Sequence, residues 1–118
     1  MKLHASGPSR YNTITGYGED YVLVNGQRHD SSLVVLPDRV LNWPVSDFTE
    51  LKAEDFKTLK NLGAEIVLLG TGPKQRFPHP RLTSGLSGLE VMDLKAACRT
   101  FNILVAEERK VAAALLFR

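Results

Sequence analysis

The chain has 118 residues, enough for one domain with a respectable core, and is 43% hydrophobic and 24% charged, a balance ordinary for a soluble globular protein. Fifteen Lys and Arg against thirteen Asp and Glu leave a formal charge of +2, too little for the basic footprint of a nucleic-acid binder. Cys98 is the single cysteine, so no internal disulfide is possible. With no apolar stretch long enough to cross a bilayer, the composition reads as a cytoplasmic protein.

In chain order, residues 1–10 read as a loosely ordered lead-in. Gly7 and Pro8 interrupt any regular element there, and the segment lacks the apolar core of a secretory signal. Residues 11–118 read as one domain. Residues 21–24 have strand composition, Asn25-Gly26 is a turn signal, and residues 32–36 form a second strand. An antiparallel pair is expected. Its register stays open, because the connection is too long for a two-residue hairpin unless pairing runs on from Gln27 to Asp30.

Pro37 closes the second strand, and the stretch through Trp43-Pro44 is predicted as a loop with Trp43 as a packing anchor. Residues 51–62 carry helical periodicity. Leu51, Phe56, Leu59 and Leu62 share one face, Lys52, Glu54, Lys57 and Lys60 the other, and Gly63 follows as a cap. Residues 65–69 are apolar on both faces, as befits a central strand covered by helices. A short helix over 81–86 stops at Gly85 or Gly88. Residues 89–92 form another strand, and Asp93 is placed to cap the next helix. Along that helix Leu94, Ala97, Cys98, Phe101, Leu104 and Val105 make an apolar stripe, opposite Lys95, Arg99 and Asn102. Residues 111–117 give a last, alanine-rich strand.

Segment 89–117 is thus a βαβ-like unit whose helix is long enough to serve as a crossover. The order β-β-α-β-(α)-β-α-β predicts an α/β fold: a central mixed sheet flanked by helices, with an additional hairpin.

The segment richest in candidate chemistry is Gly70-Thr71-Gly72 together with the loop through Arg81. Loops leaving the carboxyl ends of strands in α/β folds are where ligands bind. This one carries Lys74, Arg76, His79 and Arg81 with no acid among them. It is neither a Walker loop nor a dinucleotide fingerprint, since the required glycines and the Lys-Ser/Thr pair are absent. A small anion concavity of backbone amides remains open, although Pro73 removes one donor. A plain strand-to-loop turn with solvated cations is the alternative. Phe77-Pro78-His79-Pro80 also suits a protein contact, with prolines holding the segment extended and Phe77 as anchor or core residue. Cys98 falls on the apolar stripe, so it reads as a buried structural thiol and not as a nucleophile paired with His79. Glu90 would need Arg99 or Lys74 as an ionic partner if buried. No catalytic constellation, metal site or cofactor is expected.

Three runs, Gly70-Thr71-Gly72, Leu89-Glu90-Val91-Met92-Asp93-Leu94-Lys95-Ala96-Ala97-Cys98-Arg99-Thr100-Phe101-Asn102-Ile103-Leu104, and Glu108-Arg109-Lys110-Val111-Ala112-Ala113-Ala114-Leu115-Leu116, occur in this order. In that order they resemble a family of small, mostly uncharacterised proteins. The family includes the mitochondrial NADH dehydrogenase (respiratory complex one) assembly factor three and an adipogenesis-associated cytosolic domain protein. The resemblance covers about residues 10–117. It implies a three-layer α/β domain and, from the mitochondrial member, assistance to the assembly of a membrane enzyme through protein contacts. Two positions depart from the family pattern: Leu94 stands where a threonine is usual, and Glu108 where a glycine usually precedes Arg109.

Two functions are expected on these grounds. The first is a non-enzymatic interaction or assembly-assisting module using loop 71–82 and the start of helix 93–106, its partner another protein. The second is an enzyme or sensor for a small anionic metabolite at Gly70–Gly72, served by Lys74, Arg76 and Arg99 with the helix start at Asp93.

Overall fold

The computed structural model describes residues 11–118, so the 1–10 lead-in lies outside the described residues. Five strands build the main sheet: β4 (Leu33–Leu36), β5 (Arg39–Asn42), β6 (Ile66–Thr71), β7 (Leu89–Met92) and β8 (Val111–Leu116), in the order β5-β4-β8-β6-β7. β6 runs parallel to both β7 and β8, while β4 is antiparallel to β8 and β5. A mixed sheet results.

Three shorter strands, β1 (Ile14–Tyr17), β2 (Val22–Val24) and β3 (Gln27–His29), form a separate antiparallel sheet. Of the two pairings left open by the sequence, the structure takes the one that runs on from Gln27. Residues 22–24 pair with 27–29, not with 33–36, because Asn25 (φ 53°) and Gly26 (φ 83°) supply the two positive-φ positions of a tight hairpin turn. The loop expected after Pro37 is corrected. Pro37 and Asp38 turn the chain so that Leu36 faces Arg39, and β5 pairs with β4 as an edge strand. The turn suits Pro37, which has no N–H to give to a ladder.

Among the described residues, the helical segments are a 3₁₀ turn at Phe48–Glu50, α1 (Ala53–Lys60), α2 (Pro80–Thr83) and α3 (Leu94–Ala106). α1 starts two residues later than expected, because the Asp55 carboxylate accepts from the Lys52 N–H at 2.8 Å and fixes the entry. Asp93 caps α3 as predicted, its carboxylate accepting from the Ala96 N–H at 2.8 Å. α3 crosses over β6 and delivers β8 to the far side of that strand.

Every residue of β8 is buried, and successive side chains enter opposite layers. On one face Leu68, Ala113 and Leu115 meet Ala97, Cys98 and Phe101 of α3, with Ile14, Val22 and Val24 of the hairpin sheet beside them. On the other face Val67, Leu69, Ala112, Ala114 and Leu116 meet Phe56 and Leu59 of α1. Trp43 joins this second core and is buried, as the packing expectation required. The hairpin sheet is locked to α3 by Asn102, whose side chain accepts from the Ile14 N–H and donates to the Ile14 carbonyl, both at 2.8 Å.

Candidate functional site

Gly70, Thr71 and Gly72 end β6 inside the protein. A Cβ at Gly70 would stand 3.0 Å from the Ala97 Cβ and 3.1 Å from Leu115, so the bare backbone lets α3 lie close on the sheet. Gly72 has φ +86°, and a Cβ there would meet the Phe117 carbonyl at 3.1 Å. Only glycine fits both demands.

The loop after Gly72 is held from within. The Thr71 hydroxyl donates to the Lys74 carbonyl and accepts from the Arg76 N–H at 3.0 Å. Gln75 donates to the Val91 carbonyl of the edge strand β7 at 2.8 Å. The Arg76 guanidinium donates to the Thr71 carbonyl at 3.1 Å and lies over the Phe48 ring, 4.5 Å from its centre. Arg76 also helps the Thr49 N–H and hydroxyl, which come first, to hold the Asp47 carboxyl below its ordinary range. Arg76 is therefore a fastener between two remote segments.

His79 caps α2, its Nδ1 accepting from the Arg81 N–H at 3.0 Å. Asp93 is occupied at the start of α3, where the Leu94 N–H is already given to the Gly72 carbonyl at 2.8 Å. Of the amides near the turn, Arg76 N–H is given to Thr71 and Leu94 N–H to Gly72, and Pro73 has none to give. Lys74, Phe77, Arg81 and Arg99 are the members of the set whose side chains are exposed and make no such bond. Phe77 is 69% exposed, more than any other large hydrophobic side chain among the described residues.

Arg99 is exposed on α3 and Glu90 is exposed on β7, and the two form no ion pair. Cys98 is buried at 1% exposure. Burial pushes its thiol up to about 12, with Arg99 opposing the shift weakly. That is the inert thiol the apolar stripe foretold. No cluster of three His, Cys, Asp or Glu able to hold a metal exists among the described residues.

Two cavities flank these elements. The larger, about 510 Å³, opens at the far end of the parallel strands, where Asp38 and Arg39 are already bonded to each other at 3.0 Å and Glu108, Arg109 and Lys110 share the lining. The smaller, about 240 Å³, lies between α1 and the α2 segment, next to the loop. Sequence patterns give no sign of it, because no spacing rule joins residues 53–60 to 81–86.

A family model described as protein of unknown function (DUF498/DUF598) matches residues 14–116. The chain belongs to that family. Among its curated relatives is the NADH dehydrogenase (ubiquinone) 1 alpha subcomplex assembly factor 3 of Xenopus tropicalis, 30% identical over a 109-position alignment that covers 87% of this chain and 60% of that protein. The chain therefore spans about 60% of the length of that relative. Among solved structures, a Bordetella parapertussis protein superposes with a TM-score of 0.82 at 36% identity, covering 93% of this chain and 98% of the other. A Mth938-like domain from Bordetella pertussis gives 0.83 at 32% identity, covering 98% and 92%. The DUF498/DUF598 fold is thus a mixed five-stranded sheet between helical layers, and the assembly-factor resemblance read from the sequence holds. No helix among the described residues is long and apolar enough to cross a membrane.

Proposed function

We propose that this chain is an assembly-assisting docking module, non-enzymatic, whose contact surface is the loop 73–82 with the neighbouring start of α3. The carrying observation is Phe77, 69% exposed on a loop pinned by Thr71, Gln75 and Arg76. A pre-ordered aromatic loses little freedom on docking, so most of its apolar burial is retained as affinity. Lys74 and Arg81 flank it and add charge without competing partners. The assembly-factor name of the Xenopus tropicalis relative supports the same reading. The anion-sensor alternative is weakened at its backbone cradle, since the Arg76 and Leu94 amides are bonded within the fold and Pro73 has none.

The test is cross-linked affinity capture from native extract, then rebinding of the identified protein in purified form. Arg76 is left intact, because its reversal would release Phe48 as well as the loop. A Phe77→Ser/Lys74→Glu variant is expected to keep the wild-type melting temperature and lose the partner. Equal rebinding by wild type and variant would remove this loop from the function.

A further inference from the structure

α1 presents Ala53, Phe56, Lys57 and Lys60 toward the smaller cavity, the i, i+3, i+4, i+7 stripe of one helical face. Across from it stand Arg81, Leu82 and Leu86. The floor is apolar, made by Phe56, Leu82 and Leu86, and the rim carries the cations Lys57, Lys60 and Arg81. No acid lines the groove, and none of the three cations has an ion pair among the described residues. The nearest acids of α1 are Glu54, which is not part of the lining, and Asp55, which is bonded to the Lys52 N–H. At about 240 Å³ the space falls below the roughly 300–1,000 Å³ of small-molecule sites. It suits one apolar side chain entering from a longer ligand.

We infer that this groove takes an acidic amphipathic segment of a partner protein, one apolar side chain seated on Phe56, Leu82 and Leu86 while neighbouring carboxylates meet Lys57, Lys60 and Arg81. The inference rests on the docking reading above and deepens it, because Arg81 belongs both to the loop and to the groove rim. Charge complementarity selects the partner: three cations without counter-charge repel a basic segment and attract an acidic one. Burial of the apolar anchor supplies the affinity that exposed ion pairs alone do not.

Gly85 gives a clean way to close the groove. A Cβ there meets nothing within 4 Å and its φ is not positive, so Gly85→Phe can fill the space without straining the backbone. The experiment selects peptides from a random phage library on the full chain. The winner is then synthesised with a fluorescent label and its affinity measured by anisotropy. Selected peptides are expected to combine Asp or Glu with Leu, Ile or Phe. Gly85→Phe and Lys57→Glu/Lys60→Glu are each expected to weaken binding by about tenfold or more, with unchanged circular dichroism, and added salt to weaken it further.

Selection of peptides without acids, or equal binding by both groove variants, overturns the inference. So does co-sedimentation with phosphatidylserine vesicles that the groove variants abolish while no peptide binds. Phe77→Ser separates the two readings. Peptide binding kept in Phe77→Ser and lost in the groove variants supports the groove even if the loop proves idle. Partner rebinding lost in Phe77→Ser but intact in both groove variants keeps the docking module and discards the groove.

Discussion

On one face of the main sheet a helix of 13 residues, α3, lies across the strands, with the hairpin sheet at its flank tied on through Asn102. On the other face the cover consists of α1, with 8 residues, and α2, with 4, and a charged groove stays open between them. Helices this short are marginal on their own and hold their shape through the side chains they bury. α1 buries Phe56 and Leu59, whereas α2 buries none of its residues fully. The α3 face is thus the stable one and the α1–α2 face the accommodating one. A docking surface gains from that division, because its binding elements can adjust without unfolding the sheet.

The sharpest way to break the comparison is to truncate one residue on each face. Phe101→Ala, in the α3 layer at 0% exposure, is expected to cost about 3–5 kcal/mol in urea unfolding. Leu82→Ala, half-buried on the open face, is expected to cost about 1 kcal/mol. Equal costs would mean that α2 is as firmly held as α3. Next in size comes Asn102→Ala, which strips two bonds from Ile14 and leaves its N–H and carbonyl unpaired, for about 2 kcal/mol. Hydrogen exchange should then quicken in β1 and β2 before the main sheet.

The central strands and the two longer helices, α1 and α3, were the legible parts. Residues 65–69, 89–92, 94–105 and 111–117 carry long apolar runs or a clear helical stripe, and Asp93 sits where a cap is needed, so local rules suffice. β1 and β5 escaped because Ile14-Thr15-Gly16-Tyr17 and Arg39-Val40-Leu41-Asn42 are short, partly polar edge segments whose strand character comes from distant partners. The same limit applies at the site. Gly70–Gly72 announced a turn, but the contact of Gly72 with Phe117 and the stacking of Arg76 on Phe48 are tertiary facts. Lys57 and Lys60 read as a solvated helix face, and only the fold sets Arg81 opposite them.

Cys98 tests how dry the α3 layer is. Its thiol ionises near 9.0 when unfolded and is held protonated to about 12 when folded. A folded value raised above the unfolded one contributes stability that is complete below pH 9 and is lost as pH climbs toward 12. The loss is roughly 1.4 kcal/mol per pH unit inside that window. Cys98→Ala removes this slope, so the difference between the wild-type and variant unfolding curves isolates the thiol. Parallel curves across the lower part of that window would mean that water reaches Cys98.

The smallest effect lies at the end of α3, where the stable face carries one avoidable strain. Glu108 has φ 61°, the left-handed region that costs a side-chain-bearing residue roughly 1–2 kcal/mol. It is forced there by the cap: the Glu108 N–H is given to the Val105 carbonyl and the Arg109 N–H to the Leu104 carbonyl, each at 2.9 Å. That pair of bonds is the helix ending at which glycine is favoured. Glu108→Gly relieves the strain but loses about 0.5–1 kcal/mol to the greater freedom of the unfolded chain, so a net gain of about 0–1.5 kcal/mol is expected. Glu108→Ala removes the carboxylate and keeps the strained φ, and no gain is expected from it. If both variants gain equally, the carboxylate beside the carbonyl end of α3 is the source of the cost and the backbone is not. If only the glycine gains, and the urea midpoint rises with an unchanged slope, the α3 layer sets the global stability.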